Sequence, residues 1–128
     1  RDINPVKNAL DLIDQIAPVS YYYDTEKYPQ MGLEEKLTYG FIAQELELVF
    51  PEMVKNKALV VNSNTEKTGN MESDARVTEE FKVVNYTLMI PILTQGMKEQ
   101  QVIIEDQNTR IELLEQELEE IKSMLLEN

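Results

Sequence analysis

The chain has few residues that could act as nucleophiles. Its serines are Ser20, Ser63, Ser73 and Ser123, and it contains no His and no Cys. A serine hydroxyl needs an adjacent base to attack an amide, and without imidazole only lysine could serve. None of the four opens a Ser-x-x-Lys spacing, and Ser123, although beside Lys122, falls on what reads as a helix surface. The same absences exclude the usual zinc sites and every triad built on histidine. Glu72 and Asp74 could touch a calcium ion, but the oxygen-rich loop spacing of a dedicated site is missing. Gly40 alone makes no phosphate loop. Tyr21, Tyr22 and Tyr23 are expected to alternate across a strand, packing in a head or between subunits. No catalytic, metal or cofactor site is expected from the residues themselves.

Bulk properties narrow the partners. In 128 residues there is room for one domain, or a small domain with an extension. Twelve basic residues against 24 acidic ones give a formal charge of −12. That disfavours nucleic acid, whose phosphates call for a Lys/Arg surface, and it disfavours anionic membranes. No run of 18 apolar residues suggests a span, and no signal-peptide pattern opens the chain. It begins with Arg1 rather than Met, so it is expected to be a piece of a longer protein.

The elements that would position any site follow from punctuation and periodicity. Asn4 as cap and Pro5 at the first helical position predict a helix whose apolar face is Val6, Leu10, Ile13 and Ile16 or Ala17, ended by Pro18. Val19–Tyr23 is rich in strand formers, and Asp24–Lys36, with Pro29 and Gly32, reads as a loop. Tyr39–Ile42 is a short extended piece running into a brief helix, Ala43–Phe50, stopped by Pro51. Ala58–Val61 and Phe81–Val84 predict a hairpin across a long polar loop, 62–80.

From Asn85 the pattern is helical. A 4-3 alternation places Met97, Ile104, Ile111, Leu118 and Leu125 at a positions and Leu93, Gln100, Gln107, Leu114 and Ile121 at d positions. Eight of these ten are apolar, which is a coiled-coil seam rather than the broader stripe of a helix lying on its own domain. A helix from Thr87 to Glu127 would run roughly 60 Å, too long for a head of some 80 residues to cover. Arg110 at g with Glu115 at the following e, and Glu117 with Lys122, pair oppositely in a parallel, in-register assembly. Gln100 and Gln107 are either tolerated imperfections or devices that set register. Oligomer number stays open: Leu118 with Ile121 leans above dimer, Ile111 with Leu114 towards it.

Tyr39–Glu52, reading YGFIAQELELVFPE, closely resembles the "GFIAQEVEKVFPELV" core of the C-terminal intramolecular chaperone of endosialidase and phage tail-fibre proteins. Asn4–Leu10 is similar to that family's opening "NIxPIxNAL", and Val19–Tyr23 to its "GVxYxW". Val84–Tyr86, Ile90–Leu93 and Met97–Gln100 follow its "VDYxxLIPxLIxAIKEQ". The resemblance implies a trimeric domain that drives assembly of an upstream fibre and then cuts itself off before a Ser in an "SDxRLK" motif, with that Ser as nucleophile and the motif's Lys as base. Arg1 would fall directly after that Lys, so no catalytic residue carries over to this chain. The family motif residues are Gly40, Phe41, Ile42, Ala43, Gln44 and Glu45. Loop 62–80 is longer than the family's usual connection.

The expected fold class is α+β: a small mixed head of short strands and helices, residues 1–84, followed by a C-terminal helix, 85–128, in a parallel trimeric coiled coil. The expected function is an intramolecular chaperone and trimerisation domain, normally released by autoproteolysis and inactive as a peptidase by itself. Its partners would be two further copies and the upstream fibre or surface protein, with no nucleic acid or membrane. By resemblance, its setting would be a phage or prophage virion or a bacterial surface. A permanent coiled-coil adaptor without processing is the alternative, and a carboxylate- or metal-dependent enzyme would need an acidic cleft.

Overall fold

A computed structural model describes residues 1–61 and 77–127. In chain order it contains α1 (Ala9–Asp14), β1 (Pro18–Tyr21), β2 (Thr38–Phe41), α2 (Ala43–Val49), β3 (Val54–Val61), β4 (Val77–Val84) and α3 (Met89–Leu126). The mixed class is as expected: short antiparallel strands and a long C-terminal helix. Two compact units divide the chain, one of Arg1–Asp14 with Ile90–Asn128, the other of Gln15–Met89. Residues 1–14 thus group with the long helix, whereas the expected head had included them.

In the Gln15–Met89 unit, β1 and β2 pair antiparallel, with Val19 opposite Gly40 and Tyr21 opposite Thr38. Pro18 starts its strand, a position where the missing N–H costs no internal ladder bond. The connection between them contains a 3₁₀ turn, Pro29–Met31, closed by Gly32 at φ 60°. A left-handed residue at that point suits glycine, which has no Cβ to clash. Helix α2 ends where Phe50 precedes Pro51, because the ring of proline drives the residue before it out of the helical region. Phe50 accordingly sits at φ −129°, ψ 72°.

Strands β3 and β4 form an eight-rung antiparallel ladder from Val54↔Val84 to Val61↔Val77. Both strands are longer than expected, and Val77–Glu80, assigned to the loop from sequence, belong to β4. The remainder of that loop, 62–76, lies outside the described residues. Leu46, Phe50, Met53, Val54 and Met89 are the buried apolar side chains of this unit. Asn85 N–H donates to the Met53 carbonyl at 2.7 Å, holding the end of the ladder to the turn after α2. Lys82 and Glu47 form an ion pair across α2 and β4. All nine aromatic residues of the chain lie between Tyr21 and Tyr86, within this unit.

In the other unit, α1 is shorter than predicted. Asn4 does not cap it: its side-chain amide donates to the Asp2 carbonyl at 3.3 Å. Asn8 takes φ 55°, a left-handed conformation that Asn tolerates and a helix does not, so the helix starts at Ala9. Of the predicted face, Leu10 and Ile13 are half-buried and Val6 is exposed; Ile16 and Ala17 belong to the Gln15–Met89 unit. Helix α3 runs 38 residues, close to its predicted limits, and would measure about 57 Å at the usual rise. Pro91 sits in its first turn, where no intrahelical N–H bond is lost.

Candidate functional site

The ten seam positions lie on α3, and all are exposed in the chain. Leu93, Met97, Ile104, Ile111, Leu114, Leu118, Ile121 and Leu125 are 47–71% exposed, and Gln100 and Gln107 are exposed beside them. From Gln101 to Glu127 every residue is exposed. The eight apolar side chains, interrupted by Gln100 and Gln107, recur along one helix without cover in the chain.

A second feature of α3 was missed from sequence. The Glu99 carboxylate accepts the Ala9 N–H through Oε1 at 3.1 Å and the Leu10 N–H through Oε2 at 3.3 Å. It therefore caps the first turn of α1. One turn earlier Gly96 is buried, and a Cβ there would stand 2.6 Å from Ile13 Cδ1, so a larger residue would oblige that side chain to shift. The available signal was Gly96 itself: a glycine inside a helical pattern costs ~1 kcal/mol relative to alanine.

The family motif residues form an elbow rather than a reactive centre. Gly40 and Phe41 end β2, Ile42 is the extended N-cap of α2, and Ala43, Gln44 and Glu45 make its first turn. Glu45 there faces the positive end of the helix dipole. The elbow is locked by Tyr86, whose hydroxyl accepts the Phe41 N–H at 3.3 Å while its ring stacks on Phe41, centroids 6.2 Å apart. A Cβ on Gly40 would lie 2.3 Å from that hydroxyl. A groove of about 490 Å³ opens beside it, lined in part by Tyr21, Tyr23, Met31, Phe41 and Phe81.

The strand expected over Val19–Tyr23 ends at Tyr21, so Tyr22 and Tyr23 lie beyond it; Tyr22 is exposed while Tyr21 and Tyr23 are half-buried, their rings edge to face at 5.3 Å. Their hydroxyls are 3.3 Å apart, and that hydrogen bond, with burial, pushes the Tyr21 pKa up to about 12. Among the serines, Ser20 lies in β1 opposite Tyr39 and Ser123 is exposed on α3. Ser63, Ser73, Glu72 and Asp74 lie outside the described residues.

Comparison with known proteins agrees with the motifs. Residues 1–55 match the family model described as "Chaperone of endosialidase", which bears out the resemblance over that segment. A crystal structure described as that of "a novel intramolecular chaperon" is similar at 16% identity and TM-score 0.50, over 77% of this chain and 95% of that one. At that identity the likeness is one of fold. No curated protein matches the chain.

Proposed function

We propose, from the match of residues 1–55 to the chaperone of endosialidase family, that this chain is an intramolecular chaperone and trimerisation domain. It assembles a fibre-like protein attached upstream and is released from it by autoproteolysis. The observation that carries the assembly half is the exposed seam of α3. Eight apolar side chains that each still have roughly half their surface to bury amount to on the order of 8 kcal/mol per chain. That is comparable with the 4–15 kcal/mol or so that association costs in lost freedom.

Assembly of this kind acts through effective concentration. Three parallel helices zipped together keep their upstream chains within reach of one another, replacing a three-body encounter with an intramolecular one. Non-local pairing between those chains, otherwise slowed by the entropy of closing long loops, then starts from a tethered state. Release follows the chemistry that the resemblance implies. The upstream Ser hydroxyl gives its proton to the motif's Lys and attacks the carbonyl before it. The C–N bond breaks, the freed amine is protonated, and water hydrolyses the resulting ester to a carboxylate and the Ser hydroxyl.

Sedimentation equilibrium at micromolar concentration is expected to give three times the chain mass, and a monomer overturns the proposal. A dimer keeps the coiled coil but contradicts the trimer. With the upstream segment attached, a cut is expected just ahead of its Ser, abolished by Ser→Ala with trimerisation intact. An uncut chain makes this a permanent adaptor.

A further inference from the structure

The β3–β4 ladder and the connection from β1 to β2 meet around a cavity of about 320 Å³ within the Gln15–Met89 unit. Leu59 of β3 stands opposite Glu79 of β4, and Phe81 follows two residues on, so all three share one face of the ribbon. From the connection come Tyr22, Tyr23 and Tyr28, with Leu33 beside them. The result is a space with aromatic and aliphatic walls, at the small end of ligand-sized cavities.

The charged residues around it are all of one sign. Asp24, Glu79 and Glu80 line it, and among the described residues no basic one does. Nor, among those residues, does any of the three carboxylates form an ion pair. Asp24 is held by its own turn: Oδ1 accepts the Lys27 N–H at 3.0 Å, and the Asp24 carbonyl accepts the Tyr28 N–H at 3.1 Å. That turn brings a carboxylate and an aromatic ring to one wall. The face of an aromatic ring is electron-rich and draws cations, more strongly where water is partly excluded. The chain's own Lys27 Nζ lies over the Tyr28 ring, 5.2 Å from its centroid. Hydrogen bonding to Tyr28, and then the charges of Glu79 and Asp24, hold the Lys27 ammonium above its ordinary pKa. Lys27 is exposed and does not itself line the cavity.

We propose that this cavity is a binding site for an alkylammonium group, its positive head between the tyrosine rings and the carboxylates and its apolar stem on Leu33 and Leu59. Two sources carry that chemistry: a free aliphatic amine, and the side chain of a lysine in another protein. An anionic ligand of the same size is repelled by Asp24, Glu79 and Glu80, and a neutral one gains nothing from them.

The test titrates the whole chain with n-butylammonium chloride and follows the ring resonances of Tyr22, Tyr23 and Tyr28 by NMR. Saturable shifts are expected at these rings, with a Kd on the order of 1 mM. The neutral n-butanol and the anionic butyrate should bind at least about fivefold more weakly. Glu79→Gln should weaken butylammonium binding about threefold. Tyr22→Leu, at an exposed ring, should cost about as much without disturbing the fold. Glu112→Gln on α3 removes the same charge elsewhere in the chain and should leave binding unchanged. Lys27→Met removes an ammonium that draws on the same carboxylates, and should tighten binding about twofold. N-acetyl-lysine methylamide presents the same head on a peptide backbone. If it binds more tightly than butylammonium, the occupant is a protein lysine; if more weakly, a free amine. Shifts that do not saturate overturn the site. So do equal binding of butanol or butyrate, and equal weakening by Glu79→Gln and Glu112→Gln.

Discussion

Helix α2 has seven residues and helix α3 has 38, and their burial runs opposite to their length. Leu46 of α2 and Phe50 at its end are each 1% exposed, whereas the last 27 described residues of the chain include no buried side chain. A seven-residue helix cannot hold itself together in water and exists because its apolar face is covered. A helix of 38 residues can persist more readily by itself, and α3 leaves its apolar face open. In the Gln15–Met89 unit Leu46, Phe50, Met53, Val54 and Met89 are buried, while Tyr39 and Leu48 stay largely exposed. Along α3, from Leu93 to Leu125, the apolar side chains of the expected seam stay exposed in the chain.

The contrast breaks most sharply at the seam. Ile111→Asp would place like charges in one layer of the proposed trimer, a burial costing several kcal/mol. Assembly should fail in sedimentation equilibrium, while Glu112→Asp at the neighbouring b position leaves it unchanged. Equal effects at both positions would show that the register is wrong. The opposite perturbation is Phe50→Ala, which removes the largest fully buried side chain. It should destabilise the Gln15–Met89 unit by ~3–5 kcal/mol in chemical denaturation while the mass in solution stays that of the parent. A change in oligomer mass would mean that the two regions depend on one another for folding.

The smallest effect is confined to high pH. Tyr21 has its pKa raised from 10.0 to about 12 by its hydrogen bond to Tyr23 and by burial. A raised folded-state value means that the neutral phenol is favoured by folding. Its contribution is complete below pH 10 and is lost as pH rises through about 12. NMR of the Tyr21 ring should show the late midpoint, and Tyr23→Phe should bring it down towards 10. A midpoint at 10 in the parent would remove the case for the tyrosine pair.

What sequence could foresee divides along the same line. The limits of α3 came from a heptad pattern, which is local and repetitive, and α2 from a proline stop. Strands β3 and β4 were underestimated because Lys55, Lys57, Glu79 and Glu80 are exposed on the ladder, the first two left unassigned and the last two placed in the loop. A two-stranded ribbon wet on most of its surface lacks the alternation that marks a half-buried strand. The start of α1 was misplaced for another reason. Asn4 and Pro5 are a sound local start signal, but the cap actually used comes from Glu99, at the far end of the chain. Nor could a lone sequence reveal what crowds Gly40, since the hydroxyl that fills its space belongs to Tyr86.

Confinement of every aromatic ring to the stretch between Tyr21 and Tyr86 gives the molecule two separate optical signals. Near-ultraviolet circular dichroism, with no tryptophan present, arises from Gln15–Met89 alone, and the Tyr21–Tyr23 edge-to-face pair is a strong source of it. The 222 nm band is weighted towards α3, which holds 38 helical residues against six in α1 and seven in α2. One thermal ramp recorded in both windows therefore follows the tyrosine-bearing unit and the long helix as distinct traces. If α3 is an assembly helix, the 222 nm midpoint rises with protein concentration, without any label attached.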